Sequence, residues 1–80
     1  MNKINQEKYD NVFCSVFNIQ KKDLKNMRLK ESEQWDSVSH ILLISTLETE
    51  FGVEFVSDEI FDIKSYDQGM IILQEHYGIN

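Results

Sequence analysis

The apolar residues of this chain recur at the three- and four-residue spacing of an α-helix, and this spacing most constrains its fold. No stretch alternates apolar and polar residues for long enough to predict a strand, and the 80 residues include no proline and only three glycines. The clearest stripe has apolar side chains at positions i, i+3, i+4, i+7 and i+8: Tyr9, Val12, Phe13, Val16 and Phe17. The sequence therefore predicts an all-α fold.

Three longer helices and one short helix are predicted. The first covers about residues 3–17, the second begins at Asp36–Ser37 and ends before Gly52, and the last follows a cap at Ser65 and ends at Gly78. A brief helical turn lies before the last helix, with Ser57 as its cap. Three apolar residues are expected to anchor this turn to the core: Ile60, Phe61 and Ile63. We expect a small four-helix bundle, with residues 1–80 forming a single domain.

The loop between the first two helices, residues 18–35, has no helical period. Its five apolar residues are scattered among eight charged groups: Ile19, Leu24, Met27, Leu29 and Trp35. A loop of this length is unusual in a small domain unless its apolar residues hold it to the core. We therefore expect an ordered loop, with room for one short helical turn.

Charge is distributed unevenly along the chain. Residues 1–30 carry a net charge of +4 and residues 31–80 carry −10, so that the whole chain carries −6. This acidity disfavours binding to nucleic acid, which depends on lysine and arginine displacing condensed counterions. The acidic half instead predicts attraction to basic patches on protein partners.

Several kinds of protein and site are excluded. The longest apolar run has four residues, far fewer than the roughly 18 that span a bilayer. The lone Cys14 permits no internal disulfide, so a cytoplasmic protein is expected. His40 and His76 lack companion metal ligands, and there is no glycine-rich phosphate loop. Asp36, Ser37 and His40 share the first turn of one helix and cannot form a hydrolytic triad. We expect a protein that is neither an enzyme nor a metal-binding protein.

The start of the second helix carries the most informative residues. Asp36 is suited to cap the helix, and the exposed hydroxyl of Ser37 lies at the positive helix end, a position suited to a phosphodiester. A helical wheel buries one face of this helix: Leu43, Ile44, Leu47 and Phe51. The opposite side still carries apolar Val38 and Leu42, with Ile41 and Glu48 on its flank. Contact with the loop or another helix would explain this apolar outer face, and so would a docking surface for another protein.

Residues 36–55 resemble the second helix of an acyl carrier protein. That family opens the helix with Asp-Ser-Leu, where this chain has Asp36-Ser37-Val38. The family closes it with Leu-Glu-x-x-Phe-Gly and then Ile or Val, and residues 47–53, Leu-Glu-Thr-Glu-Phe-Gly-Val, match this pattern at the same spacing. The resemblance covers essentially the whole chain, in length, acidity, helix order and the long first loop.

The resemblance implies a 4′-phosphopantetheine group attached covalently to Ser37 by a phosphopantetheinyl transferase that takes it from coenzyme A. The carrier would then hold acyl intermediates as thioesters for acyl-transferring or acyl-activating enzymes, in fatty-acid, polyketide-like or other specialised biosynthesis. We expect a monomer. Four residues match the family's partner-facing positions: Asp36, Val38, Ile41 and Glu48. We expect Leu42, which the helical wheel places on the outer face, to take part in partner recognition as well.

The chain also departs from the family. Leu42, Ser39 and Thr49 stand where acidic residues are usual, so we expect partner recognition to be more apolar than in housekeeping fatty-acid synthesis. Trp35 replaces a small residue before the motif, and either core anchoring or contact with the prosthetic arm would explain it. For His40, a packing or capping role and a hydrogen bond to the phosphate are both open.

Two alternative functions remain open from the sequence. A stand-alone aminoacyl or peptidyl carrier, such as a D-alanyl carrier, shares the serine and the helix. A small acidic adaptor would carry no prosthetic group, and Ser37 would then be only a capping residue that tolerates Asn or Asp.

Overall fold

The computed structural model describes all 80 residues, as four α-helices and one 3₁₀ helix without a β-strand. Helix α1 extends over Lys3–Phe17, α2 over Ser37–Phe51, α3 over Ser57–Asp62 and α4 over Tyr66–Tyr77. The 3₁₀ helix, Lys21–Asn26, is the short helical segment within the long loop. The predicted all-α class is therefore confirmed. None of the helices combines the length and the apolar composition that crossing a bilayer requires.

The bounds of α2 and α4 follow from local chemistry. Ser65 caps α4 by accepting the N–H of Gln68 at 3.2 Å. Gly52 and Gly78 end α2 and α4 in the left-handed conformation, with φ of +64° and +65°. Glycine adopts this conformation without the steric cost that a side chain adds. These boundaries agree with those predicted from the sequence.

The core lies among α1, α2, α4 and the loop that joins α1 to α2. Its fifteen buried apolar residues are Tyr9, Val12, Phe13, Phe17, Leu24, Met27, Trp35, Leu43, Ile44, Leu47, Phe55, Ile63, Tyr66, Ile72 and Leu73. Aromatic rings fill its centre, where the Trp35 ring centroid lies 5.6 Å from that of Phe13 and 5.0 Å from that of Phe17. Trp35 is fully buried, so core anchoring is the role that the structure supports for it.

The long loop is held to the core and to the start of α4. Its buried side chains are Leu24, Met27 and Trp35. Backbone hydrogen bonds order its last part, because the N–H of Leu29 donates to the carbonyl of Lys64 at 2.9 Å and that of Lys30 donates to the carbonyl of Trp35 at 2.7 Å. The loop is therefore ordered as predicted, and it brings Lys30 to the start of α2.

Helix α3 differs from the prediction at two residues. Ser57 does not cap it, because the cap position is Val56, whose N–H donates to the Glu59 carboxylate at 2.9 Å. Phe61 does not anchor it either, since this residue is 72% exposed, whereas Ile63 is fully buried as predicted. A helix of six residues is too short for its apolar spacing to show which side faces the core.

Candidate functional site

Ser37 is the first residue of α2, and its side chain is exposed. The side-chain hydrogen bonds of this first turn involve its neighbours Asp36, Val38 and Ser39, and the Ser37 hydroxyl takes part in none of them. Its Oγ atom is therefore accessible and free of a competing partner within the protein.

A reciprocal capping box between Asp36 and Ser39 begins α2. Asp36 Oδ1 accepts the N–H of Val38 at 3.0 Å and that of Ser39 at 2.9 Å, while the Asp36 N–H donates to Ser39 Oγ at 2.9 Å. The hydrogen bonds from the Ser39 N–H and hydroxyl hold the pKa of Asp36 below its ordinary value, so this carboxyl is ionised at neutral pH. The role of Ser39 was not predicted, although its spacing from Asp36 is that of a capping box.

His40 joins the loop, α2 and α3. Its Nδ1 accepts the indole N–H of Trp35 at 3.0 Å, so the ring proton is on Nε2, which donates to the carbonyl of Ile60 at 2.8 Å. The His40 ring is buried, and its centroid lies 6.0 Å from that of Trp35. Because both ring nitrogens are used within the protein, His40 has no donor left for a phosphate. Its role in this structure is packing.

A cavity of about 340 Å³ opens beside Ser37. The loop, α2 and α3 supply its seven lining residues, of which four are apolar: Leu29, Lys30, Ser37, His40, Ile41, Ile60 and Phe61. The exposed Phe61, which does not anchor α3 to the core, forms part of the cavity wall. The sequence did not predict the cavity, because its walls come from three segments that only the tertiary fold brings together.

The outer face of α2 is apolar and largely uncovered. Val38, Ile41 and Leu42 are 79%, 69% and 53% exposed, in agreement with the helical wheel. Glu48 is placed differently, since it is half-buried and its Oε2 accepts the N–H of Phe55 at 2.9 Å. Its carboxylate therefore closes the turn that follows α2, and contact of any of these residues with a partner stays a prediction.

A second polar cluster lies where α3 meets α4. The Glu59 carboxylate accepts the N–H of Val56 and the hydroxyl of Tyr77, and its Oε2 lies 2.5 Å from His76 Nδ1. Burial by itself would raise the pKa of Glu59, but these hydrogen bonds outweigh burial and lower it. The hydrogen bond that the Tyr77 hydroxyl donates to the Glu59 carboxylate raises the pKa of Tyr77 to about 12. The sequence analysis did not predict this cluster, which ties the cavity wall formed by α3 to the end of α4.

Comparison with protein-family models, with curated proteins and with solved structures finds no match for this chain. No three or more His, Cys, Asp or Glu side chains lie close enough together to hold a metal ion. The region around Ser37 combines a free hydroxyl, an adjacent apolar cavity and uncovered apolar residues of α2.

Proposed function

We propose that this protein is a carrier of the acyl carrier type, a four-helix bundle in which Ser37 holds a covalently attached 4′-phosphopantetheine group. The observation that carries the proposal is the exposed Ser37 hydroxyl, which lacks a hydrogen-bond partner and lies beside an apolar cavity. A serine that served only as a cap would use its hydroxyl to accept a backbone N–H. Asp36 does this here, so the Ser37 hydroxyl is left for another role.

The surroundings of Ser37 fit such a group. The phosphodiester would be attached at Ser37 Oγ, and the apolar residues of the cavity offer a surface for the pantetheine chain: Leu29, Ile41, Ile60 and Phe61. When bound, the group supplies the thiol that carries acyl groups as thioesters. The chain itself contributes the attachment point and the apolar surface beside it.

Cys14 is poorly suited to be the carrying thiol. It is a half-buried residue of α1, and burial raises its pKa above the ordinary value for a thiol. The thiolate is the reactive form of cysteine, so a raised pKa makes Cys14 a weak nucleophile at neutral pH. This supports a carrier whose thiol belongs to an added group.

The partners that we propose are a phosphopantetheinyl transferase and the enzymes that load and use the acyl cargo. Val38, Ile41 and Leu42 are exposed in the first two turns of α2, and burying each in an interface would contribute about 1–3 kcal/mol. Asp36 caps the same helix as an ionised carboxylate. Glu48, whose carboxylate already bonds the Phe55 N–H, would contribute less.

Intact-mass spectrometry tests the attachment site directly. After incubation with coenzyme A and a broad-specificity phosphopantetheinyl transferase, the wild type should gain the mass of one phosphopantetheine and Ser37→Ala should gain none. Ser45→Ala, which replaces another exposed serine of α2, is the matched control and should load like the wild type. Ser37→Ala should lose at most about 1 kcal/mol of stability, because the Asp36 cap remains.

Two outcomes of this experiment would overturn the proposal. Modification of Ser37→Ala would place the group elsewhere, and an unmodified wild type would favour the acidic adaptor. If the wild type loads, separate incubations with acyl transferases and with adenylating enzymes would distinguish an acyl carrier from an aminoacyl carrier.

A further inference from the structure

The start of α2 offers little to the anionic phosphodiester that the proposed function places on Ser37. Asp36 Oδ1 already accepts the N–H groups of Val38 and Ser39, and the N–H of His40 donates to the Asp36 carbonyl at 2.9 Å. These bonds use the N–H groups of Val38, Ser39 and His40, so that of Ser37 is the one left at this helix start to attract an anion. In addition, the ionised Asp36 carboxylate repels a second anion next to it. A phosphodiester here would therefore gain from a source of positive charge outside the helix.

Lys30 is the one residue with a positive charge among those that line the cavity beside Ser37. Its exposed ammonium is paired with no carboxylate, because the only ion pair in the protein joins Glu59 and His76. The other titratable residue of the cavity, His40, uses both ring nitrogens within the fold. Lys30 is therefore the available cation on this side of Ser37.

The backbone of Lys30 is fixed in place. Its φ of +67° lies in the left-handed region, which lysine adopts at a steric cost and glycine or asparagine adopts more readily. Its N–H donates to the carbonyl of the buried Trp35, and the preceding N–H, of Leu29, donates to the carbonyl of Lys64. The side chain thus starts from a well-ordered point at the cavity, which reduces the entropy lost when it pairs with an anion.

We infer that Lys30 is a positioning residue for the proposed prosthetic group, and that its ammonium pairs with the phosphodiester on Ser37 and directs the arm toward the apolar cavity between α2 and α3. This inference rests on the proposed function. A lysine ammonium on its flexible stem binds phosphate as a point charge, so it needs no fixed bidentate geometry. Because the pair is solvent-exposed, its effect is modest and sensitive to salt.

Phosphorus NMR of the loaded protein reads this contact at the phosphodiester itself. Lys30→Gln removes the charge, and Lys30→Asn removes it with a side chain that suits the left-handed backbone. Lys25→Gln is the matched control, since Lys25 is an exposed cation of the same loop that does not line the cavity. At low salt, both Lys30 variants should shift the phosphodiester resonance from its position in the wild type, whereas Lys25→Gln should leave it unchanged.

The reactivity of the arm thiol provides a second readout, measured with an uncharged alkylating reagent in a Cys14→Ser background. An arm directed toward the cavity has a shielded thiol, so the Lys30 variants should react about two- to fivefold faster than Lys25→Gln, as expected for loss of one exposed ion pair. At about 1 M salt, where charges are screened within about 3 Å, this difference should disappear.

The intact mass is measured first, because it distinguishes failure of the proposed function from failure of the Lys30 inference alone. If the wild type gains no phosphopantetheine, the proposed function and this inference both fail. If every variant loads, but both Lys30 variants match Lys25→Gln in phosphorus resonance and thiol reactivity, only the inference is overturned. Circular dichroism of each loaded variant verifies that its helices are retained.

Discussion

At the scale of single residues, Glu59 shows how the fold uses a buried charge. Its carboxylate bonds Val56 at the start of α3, and His76 and Tyr77 at the end of α4. A buried carboxylate is costly unless hydrogen bonds or opposite charges compensate it, and here three groups do so. Glu59 thereby holds the short α3 against α4.

Replacing Glu59 should weaken this connection. We expect Glu59→Gln to lower the free energy of unfolding by about 1–3 kcal/mol, because it removes the charge that His76 and Tyr77 bond. The exposed neighbour Asp58 provides the matched control, and Asp58→Asn should change stability by less than about 0.5 kcal/mol. Denaturant unfolding followed by circular dichroism measures both, and equal stabilities of the two variants would contradict the role of Glu59.

The lowered pKa of Glu59 also sets the direction of a pH dependence. The folded protein binds this proton less tightly than the unfolded chain, so the carboxylate stabilises the fold above its unfolded pKa of about 4.3. That stabilisation is lost as the pH falls through the lower folded pKa. Between about pH 5 and pH 3, the wild type should therefore lose more stability than Glu59→Gln. Melting curves across this range test it, and parallel losses would contradict it.

At the scale of secondary-structure elements, α2 presents two apolar faces, one buried and one exposed. Leu43 and Leu47 are fully buried in the core, whereas Val38, Ile41 and Leu42 are exposed in the first two turns of the helix. Exposed apolar residues that lie together on one helix face are typical of a docking surface. Phe61 of α3 is also exposed beside them and lines the same cavity as Ile41.

Replacing Leu42 tests the outer face of α2, because the acyl carrier proteins that this chain resembles usually have an acidic residue at this position. We expect Leu42→Glu to keep the fold, since Leu42 is 53% exposed, but to slow transfer to the native partner enzyme while improving acceptance by generic fatty-acid enzymes. Circular dichroism checks the fold, and acyl-transfer kinetics at several salt concentrations check the interface. Unchanged kinetics with the native partner would show that Leu42 does not contact this partner.

The side chain of Tyr9 in α1 reaches α4 at Gly69. A Cβ atom there would overlap the hydroxyl of Tyr9, which donates to the carbonyl of Tyr66 at 2.6 Å. We expect Gly69→Ala to cost about 1–3 kcal/mol, because the Tyr9 side chain must move and its hydrogen bond to Tyr66 breaks or is distorted. Gly52→Ala meets no neighbouring atom and should cost about 1 kcal/mol, through its left-handed backbone alone. Unfolding with denaturant compares them, and a fully stable Gly69→Ala would show that Tyr9 can move away at no cost.

At the scale of the whole molecule, the charges are separated along the chain and hardly paired. The basic first part and the acidic remainder differ strongly in net charge, yet Glu59 and His76 form the only ion pair. Repulsion among the eleven acids of residues 31–80 is therefore not offset by direct contacts with lysine or arginine.

This charge distribution predicts that salt stabilises the fold. We expect the melting temperature to rise from low to moderate salt, and with divalent cations, because screening weakens the repulsion among the acids of residues 31–80. Thermal unfolding at several salt concentrations measures the trend. A flat or falling melting temperature would mean that long-range attraction from residues 1–30 already compensates the acids.

The sequence by itself determined the features of this protein that depend on neighbouring residues. The apolar stripe of α1, the Asp36 cap of α2 and the glycines that end α2 and α4 act within a few residues, so the main helices and their bounds could be predicted. The exposure of Ser37 at the first residue of α2 followed in the same way.

The tertiary structure alone decided what surrounds Ser37. Phe61 is exposed, Glu59 is buried and His40 bonds the carbonyl of Ile60 because the six-residue α3 contacts α2 on one side and α4 on the other. Fewer than two helical turns define too little periodicity to orient a helix, so its orientation is set by contacts with residues distant in the chain. The cavity beside Ser37, and the position of Lys30 at it, exist only once these contacts form.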